Sequence, residues 1–255
     1  MRPTCQMLFS IFISTFFLTC LFLNTVVSTE NRESSSASEG GIIKGQITYA
    51  GEVPGQEKIK INKDVNICGK VPHFDETLLV SEDKGLANVI VSLSNVKNGK
   101  SLAAWGTEFE LNQKSCVFVP HVLLVPVGAK LKIKNSDGIL HNIHTYSEKN
   151  QPINKAQPRF LKVLSVSFEE PEIVRVACDV HNWMNSYIAI VDHPYYAITD
   201  KNGHFELTDV PAGTYTLECW QESLGKLTQE VTVKAKGTVE ANLEFKPAKA
   251  GKIND

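Results

Sequence analysis

Two short segments of this 255-residue chain carry side chains suited to holding a soft metal ion. The first, IKNSDGILHNIHTY, contains His141 and His144; the second, VACDVHNWMNSY, contains Cys178, His181 and Met184. Two imidazoles and a thiolate in a plane, with a long, weak axial thioether, form the donor set of a mononuclear blue-copper site. Cys178-x-x-His181-x-x-Met184 puts three such donors on one stretch, and an earlier histidine can supply the fourth. Copper, one ion per chain, is therefore the expected cofactor, with His141, Cys178, His181 and Met184 as its ligands.

The spacing dictates what must position these residues. Side chains three apart on a regular strand point to opposite faces. Cys178 and His181 can meet at one ion only if the chain turns directly after the cysteine. The flanks agree: VRVA runs into Cys178 as a strand, and HNWMN is poor strand material. The same parity separates His141 from His144, since only one of them can face the ion; His141 is preferred, with His144 as a supporting or alternative ligand. His121, His193 and His204 have no second ligand nearby in sequence and read as structural or exposed. Trp183, between two ligands, is either a core plug or part of an apolar docking patch, and the patch is favoured.

Beyond residue 42 the chain is a series of short apolar or alternating runs broken by glycine, proline and asparagine, which predicts a β-sandwich or barrel. KLKIKNS alternates, putting Leu131 and Ile133 on one face and lysines on the other. No helix longer than a turn or two is needed after the N-terminal segment. The late stretch YAITDKNGHFELTDVPAGTYTLECW has turns at Asp200–Gly203 and Pro211–Gly213 with strands between.

At HNIH and C-x-x-H-x-x-M the chain resembles the cupredoxins, with a ligand loop most like that of amicyanin. The likeness covers roughly residues 116–192. It implies an all-β, cupredoxin-type Greek-key β-sandwich or barrel. It assigns His141 as first histidine, Cys178 as thiolate, His181 as the exposed histidine through which electrons pass, and Met184 as axial ligand. Asn142 would tie the two ligand segments together. The loop departs from the family at Asp179-Val180, where a proline commonly precedes the second histidine, and at Asn182-Trp183, which replaces a proline-aromatic pair. The late stretch resembles a carboxypeptidase-regulatory or transthyretin-like sandwich and implies an additional small β-sandwich module. A strand typical of the start of such modules lies far upstream, near Gly45–Gly51, which leaves open a sandwich split by the copper domain or one small appended sheet. The expected organisation is a signal peptide at 1–28, a flexible linker at 29–41, the copper domain with an N-terminal extension at 42–191, the β module at 192–246 and a tail at 247–255. Tyr195 and Tyr196 are expected to pack at the junction of the two β modules.

Met1 and Arg2 precede an apolar run, Leu8 to Leu23, followed by small residues at Val26 and Ser28, which reads as a secretory signal. The run is shorter than the ~20 residues a spanning helix needs, so export to the periplasm or beyond is expected, with membrane anchoring only if the segment is retained. Outside the signal stand Cys68, Cys116, Cys178 and Cys219. With Cys178 committed to metal, at most one disulfide forms in an oxidising compartment. Cys68–Cys116 is favoured, because Cys219 sits within a strand-like segment.

Net charge is −2 with both signs interspersed, which points away from nucleic acid. There is no C-x-x-C-H for covalent haem, no set of H-x-H pairs for a multicopper centre, and no G-x-S-x-G or H-E-x-x-H. The expectation is a non-enzymatic carrier of single electrons between redox proteins such as a c-type cytochrome or a dehydrogenase. The alternatives are copper storage or delivery, and a non-redox surface-interaction protein.

Overall fold

A computed structural model describes residues 40–97 and 99–247. The expected signal peptide and nearly all of the expected linker and tail lie outside them. Among the described residues no helix is long and apolar enough to cross a membrane.

Among the described residues seventeen strands follow one another, with two single-turn helical pieces between them. The first two are β1 (Gly41–Tyr49) and β2 (Ile90–Ser94), with a four-residue helix, α1 (Val65–Cys68), between them. The middle of the chain holds β3 (Glu108–Lys114), β4 (Val117–Val119), β5 (Val122–Pro126), β6 (Lys130–Asn135) and β7 (His141–Tyr146). It continues with β8 (Asn154–Gln157), β9 (Val163–Val166), β10 (Glu172–Ala177) and β11 (Asn185–Val191). The last part holds β12 (Tyr196–Ile198), β13 (His204–Val210), β14 (Gly213–Gln221), β15 (Gly225–Val233), β16 (Thr238–Glu240) and β17 (Leu243–Phe245).

These strands form four sheets. Two are made only of the middle strands: β4-β3-β6-β9, and β5-β11-β10-β7-β8. Their inner faces share one core that includes Leu111, Phe118, Ile133, Ile143, Val176 and Ile188, all essentially without solvent contact. The alternation read in KLKIKNS is realised in β6, where Leu131 and Ile133 are buried between half-exposed or exposed lysines. Each such aliphatic side chain contributes about 1.5–3 kcal/mol when buried, so the inward rows fix the register of every strand that carries them.

The other two sheets draw on both ends of the chain. β1 lies between β13 and β16 and also pairs with β17, while β2 lies between β12 and β14, with β15 beyond. The polypeptide therefore leaves these sheets after β2 and returns to them at β12. Ile47, Leu93, Phe205 and Leu217 belong to their shared core. Gly203 has φ +80° in the turn before β13, where a Cβ would meet the backbone oxygen of Ile47 at 2.2 Å, so only glycine fits this approach. A third cluster joins the two pairs of sheets: Val122, Ala189 and Val191 pack with Ile90, and Tyr187, Tyr196 and Trp220 close around them. Tyr196 is at the junction as expected; Tyr195 is not. It is buried in the core of the second pair, where its hydroxyl donates to the Asp209 carbonyl at 3.0 Å.

Residues between β1 and β2 form a strap with little sheet structure. It is closed by a hairpin-like contact in which Ile59 N–H donates to the His73 carbonyl and Asp75 N–H to the Glu57 carbonyl, both at 2.9 Å. Cys68 at the end of α1 is disulfide-bonded to Cys116 in the β3–β4 turn, the pairing favoured from the sequence. Through that bond and the packing of Ile61 and Ile67 on the first core, the strap covers one end of the first pair of sheets.

Candidate metal centre

On β7, His141, Ile143 and Thr145 are buried against the core, while His144 is half-exposed on the other face and Asn142 is buried there. β10 delivers Cys178 at the same end, and the chain turns directly after it. The turn is closed by Met184 N–H donating to the His181 carbonyl at 3.0 Å and Cys178 N–H to the Met184 carbonyl at 3.2 Å. The seven-residue loop thus returns Met184 beside its own start, with both ends buried.

This brings His141, Cys178 and His181 into one cluster whose ligand atoms all lie within 4.8 Å of one another, buried throughout. The two Nδ1 atoms face each other at 3.0 Å, and Cys178 Sγ is 3.9 Å from each. Donors about 2.0–2.3 Å from a common ion lie roughly 3–4 Å apart, as these three do. Met184 is buried in the same hydrophobic core as Cys178. The cluster is capable of coordinating a metal ion.

What surrounds it prepares those donors. His141 Nε2 donates to Asp137 Oδ2 at 3.0 Å, and His181 Nε2 donates to Asp64 Oδ2 at 2.8 Å. An ionised carboxylate only accepts, so each aspartate keeps the ring proton on Nε2 and leaves Nδ1 as a bare lone pair. Two such lone pairs 3.0 Å apart repel unless a cation or a proton lies between them. In the metal-free protein burial opposes a charge on His141, but the Asp137 bond and the Cys178 thiolate together raise its pKa. Burial likewise pushes the Cys178 thiol up, yet its interactions with the two imidazoles and with the backbone N–H groups of Asn142 and His181 outweigh it and bring the thiol down to about 6. Cys178 is therefore a thiolate at neutral pH, the form that binds metals.

Asn142 links the segments that carry His141 and Cys178. Its N–H donates to Cys178 Sγ at 3.5 Å, and its side-chain oxygen accepts from Asp179 N–H at 2.6 Å. Asp137 anchors a second turn. Ser115 and Cys116 both have left-handed backbones, φ 55° and 57°, and their N–H groups donate to the two Asp137 oxygens at 2.5 and 2.8 Å. A buried amide belt of Gln113, Asn135 and Gln157 then ties β3, β6 and β8 together beneath that turn.

One expectation is corrected here. His181 is not the exposed histidine: it has no solvent exposure, because the strap lays Asp64 over its outer nitrogen. Trp183 is half-buried, packed on the first core with part of its ring at the surface. Its indole N–H donates to the Cys116 carbonyl at 3.0 Å, and its ring packs 5.1 Å from that of His181. Neither carboxylate partner was picked out from the sequence; only the capacity of aspartates to orient imidazoles could have suggested a search for them. Among the remaining histidines, His144 accepts no place in the cluster and instead donates to Asp179 at 3.0 Å, stacked on Tyr146. His121 is buried, bonded through Nε2 to Glu222 and 3.7 Å from Glu76. A second group with metal-ligating atoms, Cys116, Asp137 and His141, is not a separate centre, because Cys116 is spent in the disulfide.

Residues 164–241 match the family described as polysaccharide lyase family 4, domain II, a span that runs from β9 in the first pair of sheets to just past β16 in the second. A search of curated proteins finds no relative. Solved structures similar to part of the chain include a Cu-containing nitrite reductase from Thermus scotoductus SA-01, at 17% identity over 38% of this chain and 24% of that one, with a TM-score of 0.31. The chain thus spans about a quarter of that enzyme's length. A purple cupredoxin from Nitrosopumilus maritimus matches at 19% identity over 32% of this chain and 99% of its own, with a TM-score of 0.27. An amicyanin variant in its Cu(I) form matches at 13% identity over 40% and 98%, with a TM-score of 0.31. At such scores these likenesses add no argument to the strand pairing and donor geometry of the chain itself.

Proposed function

We propose that this is an exported type 1 copper protein that carries single electrons between redox partners. The observation that carries this reading is the convergence of two Nδ1 atoms and one thiolate, each imidazole pinned at Nε2 by a carboxylate. A set of two imidazoles, a thiolate and a nearby thioether favours copper over harder ions. Copper held there supplies a one-electron couple. His141, Cys178 and His181 would hold it, Met184 would be the axial ligand, and Asn142, Asp137 and Asp64 would keep those donors in place in both oxidation states.

The enclosure favours a carrier over a storage or delivery protein, since all three donors are buried and one is covered by a disulfide-held strap. A non-redox interaction protein would have no use for a thiolate set between two oriented imidazoles. In this reading the middle strands form a cupredoxin-like domain inserted into a second β module built from both chain ends. The partner would be a redox protein such as a c-type cytochrome or a dehydrogenase, met outside the cytoplasm, and the chain itself would catalyse no reaction.

Stopped-flow mixing of the copper-loaded protein with a reduced c-type cytochrome tests this. Rapid oxidation of the cytochrome, with bleaching of the copper chromophore in equal amount, is expected. Stable copper binding without electron exchange would leave storage as the better reading.

A further inference from the structure

The geometry points to Asp64 as a positioning residue for the metal centre and to its strap as the gate for metal uptake and release; this rests on the metal reading above. Asp64 lies outside the sheet that carries the donors. It stands at the N-cap of α1, where an aspartate normally turns its carboxylate onto the helix's own free N–H groups. Here it makes no such bond. Its backbone is left-handed instead, φ 47° and ψ 39°, a conformation that costs a non-glycine residue of order 1 kcal/mol or more and persists only where the surroundings impose it. The carboxylate so turned outward from the helix reaches His181 Nε2 at 2.8 Å.

The placement is over-determined. The Asp64 carbonyl accepts from Ile67 N–H at 2.8 Å and Cys68 N–H at 2.9 Å, so the carboxylate is only a turn of backbone from the disulfide. Cys116, at the other end of that bond, donates its N–H to Asp137, the partner of His141. One covalent link therefore joins the two segments that carry the two orienting carboxylates. His181 is fully covered and Asp64 is 39% exposed, so the strap is the thin wall between this ligand and solvent. An ion reaching Nδ1 of His181 from this side must displace it.

Two readouts test this on the full exported chain with Asp64→Ala, Asp64→Glu and the exposed control Asp83→Ala. Long-range proton–nitrogen NMR of the metal-free protein reports the His181 tautomer. The wild type and Asp83→Ala should hold the proton on Nε2, Asp64→Ala should lose that preference, and Asp64→Glu should restore it in part. Release of Cu(II) to excess EDTA from loaded protein should be about 10- to 100-fold faster in Asp64→Ala, the usual cost of losing an orienting partner. Opening the disulfide with Cys68→Ser/Cys116→Ser should speed release at least as much. An unchanged tautomer and unchanged release in Asp64→Ala would overturn the proposal. Failure of the wild type to take up copper would instead remove the proposed function, and the tautomer result alone would then decide the role of Asp64.

Discussion

Replacing Asp137 with alanine removes one carboxylate that serves three N–H donors, so its cost can be worked out bond by bond. The side chain is only 7% exposed, and it accepts from Ser115 N–H, Cys116 N–H and His141 Nε2. Ser115 is exposed and water can replace its partner; Cys116 is buried, and its N–H would be left unsatisfied at about 1–3 kcal/mol. The charge-assisted bond to His141 adds about 1.5–3 kcal/mol, partly recovered because the imidazole can relax toward its neutral form. Metal-free Asp137→Ala should therefore be less stable by about 2–4 kcal/mol at neutral pH, with the urea midpoint shifted by about 1–2 M at an m-value near 2 kcal/mol/M and m unchanged. The pH dependence has a definite sign. The bonds hold the Asp137 carboxyl below its ordinary value of 3.8, although burial opposes them. Its contribution is thus complete above that value and is lost as pH falls through the lower folded value. The difference between wild type and variant should be largest between about pH 4 and 6.5, shrink in stronger acid, and shrink again as pH rises through the raised folded value of His141. A shift under about 0.5 kcal/mol at neutral pH would refute the view that this carboxylate organises the turn and the ligand together.

Two further outcomes follow from the same reasoning. In metal-free protein, thiolate absorbance near 240 nm should rise with a midpoint at about 6, a step absent in Cys178→Ser; Cys219, pushed up to about 12 by burial, should not contribute below strongly alkaline pH. The His121 pair should behave in the opposite sense to Asp137. Burial opposes its charge, but Glu222 and Glu76 raise its pKa above 6.5, so the stability it gives is complete below that value and is lost as pH rises through the folded value. Unfolding midpoints of wild type and His121→Ala should therefore converge in mild alkali; curves that stay parallel would show the pair is not charged.

The ligand loop was legible because it is local. Cys178, His181 and Met184 can meet only through a turn after the cysteine, and strand parity lets only one of His141 and His144 face the same point. The alternation around Ile133 and the turn at Gly203 are local in the same way. What escaped is long-range. Asp64 is 117 residues from His181, in a stretch with no strand pattern, so nothing near either residue announces the pair. The exposure expected for His181 came from the resemblance, whereas this chain adds a strap over that ligand. Trp183 was ambiguous for the same reason, since its partner is the Cys116 carbonyl on a distant turn. The pairing of β1 with β13 likewise joins residues at opposite ends of the described chain, which hydrophobic pattern can permit but not choose.

The most direct test is the visible and EPR spectrum of the protein after one equivalent of Cu(II). The account predicts an intense thiolate-to-copper charge-transfer band with narrow copper hyperfine splitting, both abolished in Cys178→Ser and undisturbed in His144→Ala. A colourless protein that binds no copper, or a band that survives the loss of Cys178, would contradict it.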